Sequence, residues 1–525
     1  MKLKYICSYA LMVLMFAACN DLDLKPLDED EIVADTFFDS PEAFQQALAK
    51  IYGGLYLTGQ QSSAGQGDIS GDEGQSSYLR TLYQHQVYTT DEAFVGSFND
   101  PNIEDFQNHS WDARSIPMTQ LYGRFFYQIT AANALIEQGD GSSDSQIQAF
   151  VNEARFLRAL SYWHALDVFR NVPFVTSISS EFPPQGTPQQ IFEFIESELL
   201  DLEDLLPAPG DMTYYPRATQ GAVQMLLAKL YLNAQVYIGQ DRYADALNYT
   251  NRVIAQSAYT LHSDYDELFL SDNENNPEFI FAIAHDGSSG AQFGGLNFIM
   301  NAATGGDINN TINIGVGGWS GTRTTAAFVD KFVDDNIDGS FDVFNATDTR
   351  ANFFTNGHNK EIEELSTFTD GYAVVKFRNV DSNGNAGSSN TFVDTDFPVF
   401  RLADAYLMYA ECFARGVAGA DGTTAAGYVN ALRERAYGNT DGNISDAQIT
   451  EQFIIDERAR ELYWECHRRT DLIRFGLFTG GDYLWPTKGG NLENGVPSEA
   501  FRDIFPIPAT DVNANPNLEQ NDGYN

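Results

Sequence analysis

The sequence predicts a mainly α-helical protein, and three observations carry that reading. Apolar residues recur at helical spacing in segment after segment. One stretch reads as a complete helical hairpin. A long loop-rich stretch begins and ends against helical segments. Of the 525 residues, 43% are hydrophobic and 13% aromatic, enough to bury a real core and to exclude a mainly disordered chain.

In chain order, Lys2 and Lys4 precede an apolar run from Tyr5 to Phe16 that is too short to span a bilayer as a helix. Ala17 and Ala18 then lead to Cys19. Residues 1–18 read as a secretory signal. A cysteine at the cleavage point resembles a bacterial lipoprotein signal, with Phe16 where such signals usually carry Leu. Residues 19–40 read as the lipidated Cys19 followed by an acidic tether, and 41–525 as a single domain. No later segment is long and apolar enough to span a membrane.

Pro41 opens the first helix, with Phe44, Leu48, Ile51 and Leu55 on one stripe. Leu121, Phe125, Ile129, Ala132 and Ile136 mark the next. The stretch from Ile147 to Phe169 is stopped by Asn171 and Pro173, and Ile191 to Leu206 by Pro207 and Pro209. Arg217 to Ala255 reads as a tetratricopeptide-like hairpin. Ala222, Leu226 and Leu230 lie on its first helix, Gly239 and Asp241 at its turn, and Ala246, Leu247 and Val253 on its second. Helical frame thus occupies about 41–270. It resumes over about 400–478 with helices from Leu402 to Arg415, Thr424 to Ala436 and Asp446 to Phe475. Between them, about 271–400 is a loop-rich excursion. The tail from Phe505 is expected to drape over the surface. Cys412 and Cys466, in apolar helical stretches, are expected to be free buried thiols.

The chemistry is sparse. With 31 basic and 73 acidic residues the net charge is −42, which repels phosphate backbones and excludes a nucleic-acid partner. The histidines form no metal-ligand spacing, and neither a serine elbow nor a phosphate-binding loop is present. His164 reads as a packed core residue. No cofactor is required. Asp272, Glu274, Asn276 and Glu278 offer oxygen ligands within seven residues. They read either as a calcium site without full EF-hand spacing or as a polar turn ahead of an apolar run. Aromatics on polar loops are more informative. Trp319 and Phe293 stand beside glycines, and Phe98 precedes Asn99 and Asp100. Such rings either fold back on the core or offer planes for the C–H faces of sugars.

The ordered motifs are specific as a set. They are Cys19-Asn20-Asp21-Leu22, Glu153-Ala154-Arg155-Phe156-Leu157-Arg158, Asn171-Val172-Pro173, Phe397-Pro398-Val399-Phe400-Arg401, Glu457-Arg458-Ala459-Arg460-Glu461, Asp471-Leu472-Ile473-Arg474, Pro506-Ile507-Pro508 and Asn521-Asp522-Gly523-Tyr524. The chain resembles the SusD-like, or RagB-like, glycan-binding lipoproteins of Bacteroidetes. Arg155, Arg158, Arg401, Arg458 and Arg460 are read as structural, pairing with Glu153, Glu411, Glu457 or Glu461.

The resemblance implies about four tetratricopeptide-like helix pairs with the ligand site on the loop-rich region, and no catalysis. It implies an outer-membrane protein, lipid-anchored and facing the exterior, that delivers a neutral glycan to a SusC-like TonB-dependent transporter. The likeness is closest to the family's starch-binding founding member. It sets Asp72-Glu73-Gly74 through Tyr78-Leu79-Arg80, and Asp91-Glu92, in the site region. Arg80 would bond hydroxyls and Phe293 and Trp319 would stack, with Phe98, Asn99 and Asp100 standing where that member carries a tryptophan-rich stretch. Two other readings remain open at this point. A lid for peptides or another nutrient would bury Trp319 and Phe293. A surface glycoside hydrolase would need two facing carboxylates.

Overall fold

The computed structural model describes residues 37–59, 63, 67–69, 71, 74–96, 100–332 and 346–524. Cys19 with most of the tether, Asp72, Glu73, Phe98 and Asn99 lie outside the described residues. The chain divides into Met1–Gln46 and Ala47–Asn525. In the first unit, Phe38 rests on Phe44 with ring centroids 4.9 Å apart. The second holds the helical frame and the candidate site.

Helix makes up 45% of the structure, as the periodicity predicts. Helices α1 (Pro41–Gly53), α2 (Tyr78–Val87), α3 (Ile116–Gly139), α4 (Ser145–Phe169), α5 (Pro188–Leu202), α6 (Gln220–Leu232) and α7 (Tyr243–Ile254) come first. Helix α8 (Gly295–Ala303) lies inside the excursion. Helices α9 (Leu402–Ala414), α10 (Gly422–Tyr437), α11 (Glu451–Leu462), α12 (Arg468–Arg474) and α13 (Ala509–Ala514) follow, with single helical turns between some of them. Local chemistry sets the starts. Asp144 accepts the Gln146 and Ile147 amides ahead of α4, and Thr187 forms a capping box with Gln190 on α5.

The long helices pack largely in chain order. Helix α3 lies on α4, α4 on α5, α5 on α6 and α6 on α7. Helix α7 then packs on α9, which meets α10 and α11. Each helix buries its apolar stripe on its neighbour, the logic of stacked helical hairpins. The expected hairpin is α6 and α7, and Gly239 turns between them at φ +68°, a left-handed conformation suited to glycine.

The excursion is tied at its base. Strand β4 (Phe279–Ile283) pairs antiparallel with β8 (Phe397–Arg401), so entry and exit lie side by side. Three two-residue pairs complete the sheet structure among the described residues. They join β1 (Phe94–Val95) to β5 (Thr322–Arg323), β2 (Val172–Pro173) to β3 (Gln185–Gly186), and β6 (Phe353–Phe354) to β7 (Ala373–Val374).

Three sequence expectations are corrected. The helix expected from Asp446 to Phe475 breaks at Tyr463–His467, where Trp464 and Cys466 take positive φ of 64° and 65°. The break is held by buried polar partners. The Trp464 amide donates to the Glu92 carboxylate at 3.1 Å, and Glu465 receives Arg401 and Lys376. Helix α5 stops at Leu202, and Leu206 is buried beyond its end. The tail is anchored rather than draped. Phe505, Ile507 and Asn521 are buried, and Asn521 Nδ2 donates to the Phe169 and Phe505 carbonyls.

The arginines of the ordered motifs are structural, but several choose other partners than expected. Arg155 and Arg158 share Glu198, whereas Glu153 takes Arg217. Arg401 binds Glu278, Glu461 and Glu465, Arg458 binds Asp404 and Asp471, and Arg460 binds Glu457. Cys412 and Cys466 are free, Cys412 buried and Cys466 half-buried. His164 is buried, its Nδ1 2.7 Å from the Tyr78 hydroxyl.

Candidate functional site

The site is built where α2 meets α8. All ten residues of α2 are buried. Ser77, just before it, donates to the Tyr56 carbonyl at 2.8 Å and accepts the Gly295 amide at 2.9 Å. The two helix starts approach so closely that a side chain on Gly294 would strike Ser77. This contact sets Phe293 beside the first turn of α2. Arg80 leaves that turn with its guanidinium 3.9 Å from the Phe298 ring centre and donates to the Phe293 carbonyl at 3.4 Å.

The far end of α8 holds the second aromatic. The Trp319, Ser320 and Gly321 amides donate to the Asn301, Thr304 and Ala302 carbonyls at 2.6, 2.7 and 2.9 Å. The strand-like loop can dock only because Gly318 takes φ +77° against the backbone of Thr304 and Gly305, where a Cβ has no room. The chain then enters β5, which pairs with β1. Arg80 and Asp100 close the arrangement at 2.5 Å, and Gln75 Nε2 donates to the other Asp100 oxygen at 3.1 Å.

The outcome is an aromatic cluster at the surface. The Phe293 ring centre lies 6.2 Å from that of Trp319 and 5.3 Å from that of Phe392, and Phe298 lies 6.2 Å from Trp319. Trp319 is 39% exposed, and Phe293 and Phe392 are half-buried. The tilted rings offer apolar planes flanked by amide and carboxylate groups, suited to the C–H faces and hydroxyls of a sugar chain.

Of the residues singled out from sequence, the structure therefore brings together Arg80, Asp100, Phe293 and Trp319. Arg80 does not face solvent as a hydroxyl donor would. Its side chain is 7% exposed, beneath the cluster, and it holds Asp100. Asp91 and Glu92 lie in the core rather than in the site. Asp91 is paired with Arg468 at 2.7 Å, and Glu92 accepts the Trp464 amide. Phe392 was missed, although its polar setting in Ser389-Asn390-Thr391-Phe392 carries the same signal as Trp319. Phe298 and Asn301 were missed because α8 was read as loop.

The four oxygen-bearing residues from Asp272 to Glu278 do not converge. Asp272 accepts the Ser382 amide and hydroxyl, Asn276 accepts the Glu278 amide, and Glu278 is buried against Arg401 and Arg435. Glu274 is exposed. Among the described residues no three acidic, histidine or cysteine side chains are grouped to hold a metal ion. The polar-turn reading is the one this geometry fits. Arg401 and Arg435 already neutralise Glu278.

A stacked helical frame that presents a cluster of surface aromatics has the geometry for stacking the C–H faces of sugars. Comparison with known proteins agrees. A profile of the SusD family matches residues 277–524, and one described as starch-binding, associating with the outer membrane, matches residues 22–232. The chain is 35% identical to the starch-binding protein SusD of Bacteroides thetaiotaomicron, with 100% of both chains covered. It is 24% identical to SusD-like protein P25 of Formosa agariphila, over 100% of this chain and 99% of that one. The chain belongs to the SusD family, whose glycan-binding proteins are non-catalytic. Among solved structures, surface glycan-binding protein A from Bacteroides thetaiotaomicron in complex with laminarihexaose shares the fold. Its TM-score is 0.69 and its identity 21%, over 91% of this chain and 99% of that one. A laminarin-binding SusD-like protein gives the same TM-score at 22% identity, over 92% and 99%.

Proposed function

We propose that this protein captures a neutral polysaccharide or oligosaccharide on the Phe293–Trp319 arc and passes it to a SusC-like TonB-dependent transporter. The favoured ligand is a starch-like α-glucan. Cys19 carries the lipid that holds the protein on the outer membrane, facing outward. The observation that carries the reading is the 39% exposure of Trp319 within an aromatic cluster whose backbone is pinned to α8. A peptide lid would bury Trp319, and it is open. Full-length similarity to a starch-binding relative supports the α-glucan. Stacking on several rings adds affinity sugar by sugar, so oligomers bind better than monosaccharides.

Intrinsic fluorescence tests this directly. Of the five tryptophans, Trp111, Trp163, Trp464 and Trp485 are at most 6% exposed, so a ligand-induced change reports Trp319. Saturable quenching or a blue shift with maltoheptaose, abolished in Trp319→Ala, is expected. A response to laminarin alone would replace the α-glucan by a β-glucan. Silence with both would overturn the α-glucan reading.

A further inference from the structure

Helix α8 carries two asparagines one turn apart, Asn297 and Asn301, and both are buried, at 1% and 2% exposure. Asparagine is a poor helix former, and a buried amide is costly unless its bonds are satisfied. Two of them in a nine-residue helix therefore need an explanation. Their partners supply it, because they are backbone groups beside the three rings of the arc.

Asn297 joins the Phe293 loop to the Phe392 loop. Its Nδ2 donates to the Gln292 carbonyl at 2.6 Å, and its Oδ1 accepts the Val393 amide at 2.6 Å. Asn301 joins the Phe392 loop to the Trp319 loop. Its Nδ2 donates to the Thr391 carbonyl at 3.1 Å, and its Oδ1 accepts the Gly318 amide at 3.2 Å. The same Nδ2 donates to the Asn297 carbonyl at 2.9 Å, which ties the two clamps together. Every ring is thus bracketed. Gln292 precedes Phe293, Thr391 and Val393 flank Phe392, and Gly318 precedes Trp319. Each amide meets a carbonyl with its donor end and an N–H with its acceptor end. Neither leucine nor an ionised aspartate, of similar size, reproduces that match.

The consequence is for ligand selection. The Phe392 and Phe293 ring centres lie 5.3 Å apart with planes tilted by 48°, and those of Phe293 and Trp319 lie 6.2 Å apart with a tilt of 57°. One ring stacks one sugar wherever it stands. A chain that touches several rings gains only if their spacing and tilt are in place before it arrives. We infer that Asn297 and Asn301 are positioning residues that hold Phe293, Phe392 and Trp319 as one preformed unit, and so favour long glycan chains over short ones. This rests on the glycan reading above. Neither asparagine touches the sugar, and both act through the rings.

The test is calorimetric titration of the full lipid-free chain with maltoheptaose and with maltose, or with laminarihexaose and laminaribiose if wild type takes only the β-glucan. Asn297→Leu and Asn301→Leu keep the side-chain size and remove the clamps. Each is expected to weaken the long sugar by roughly three- to tenfold, the scale of one misplaced aromatic contact, and to leave the disaccharide within about twofold of wild type. Leu199→Ala, in the buried face of α5, lowers stability by opening a cavity in the frame and should bind both sugars as wild type does. Asn301→Leu should also change the acrylamide quenching of Trp319 in the sugar-free protein, because its loop is released. Wild-type affinity for the long sugar in both asparagine variants, an equal loss for long and short sugars, or the same loss in Leu199→Ala would each overturn the assignment. Should wild type bind neither glucan, the glycan reading falls and takes the length preference with it. The clamp itself is then decided without sugar, sustained by altered Trp319 quenching in Asn301→Leu and overturned by unchanged quenching.

Discussion

Arg80 reaches from a fully buried helix to Asp100 on the surface, 2.5 Å away, and its guanidinium lies 3.9 Å from the Phe298 ring centre. The arginine is sheltered and the aspartate one-quarter exposed, so the pair anchors a surface loop to the core. Asp100→Ala should strip the buried guanidinium of its carboxylate and loosen the rim of the arc. We expect oligosaccharide affinity to fall about tenfold, in the range of a lost charged hydrogen bond, with Asp100→Asn intermediate. Calorimetric titration that finds all three proteins equal would remove Asp100 from the binding surface.

Gly318 is the hinge on which Trp319 is presented. Its φ of +77° and its contact with Thr304 and Gly305 leave no space for a methyl group. Gly318→Ala should displace the tryptophan and lose glycan binding, while far-UV circular dichroism stays that of wild type because the helices are untouched. Unaltered Trp319 emission and affinity in the variant would contradict this.

Asp91 and Arg468 form a bidentate pair that is buried on both sides. Burial alone would raise the Asp91 carboxyl, but the Arg468 charge and its hydrogen bonds hold it at about 2. Asp91→Ala should therefore cost about 3–5 kcal/mol, the penalty for stranding a buried cation. The readout is the denaturation midpoint. A shift equivalent to less than 1 kcal/mol would mean that Arg468 finds another partner.

Stability should peak near neutral pH. Burial holds His85, His109, His164 and His467 at about 3 and His285 at about 4, so these rings stay neutral in the fold. In the unfolded chain they take up protons below about 6.5, so stability falls as the pH drops from there. Glu92 has the opposite sign. Burial pushes its carboxyl up to about 8, the neighbouring Asp91 adding to the rise, against the pull of the Trp464 amide, Arg468 and Lys376. The fold thus keeps a proton that the unfolded chain releases above about 4.5, so this contribution is lost as the pH rises from about 4.5 to about 8, and it outweighs the histidines only above neutrality. Glu92→Gln should flatten that upper limb and leave the acidic limb in place. Chemical denaturation across this range would expose an error as an upper limb that the variant does not change.

Much of the frame was legible in sequence because helices declare themselves locally. The stripe through Leu121, Phe125 and Ile129 and the small residues of α6 need only their near neighbours to be read. Helix α8 was not legible, since Gly294, Gly295 and Asn301 carry loop chemistry. Glycine there serves the close approach to Ser77, a contact 217 residues away in the chain for Gly294. The break at Trp464 was hidden for a similar reason, because its partner is Glu92.

By itself, then, the sequence determined the helical class, the loop-rich excursion and the polar, glycine-flanked setting of Trp319 and Phe293. Only the tertiary structure decided that Arg80, Asp100, Phe293, Phe392 and Trp319 share one place. It alone decided that Trp319 is open to solvent, that Glu278 belongs to Arg401 and Arg435, and that Asp91 and Glu92 are core. The physical reason is range. Periodicity and turn chemistry act between near neighbours, whereas 73 carboxylates and 31 cations admit many pairings, and only chain packing selects among them.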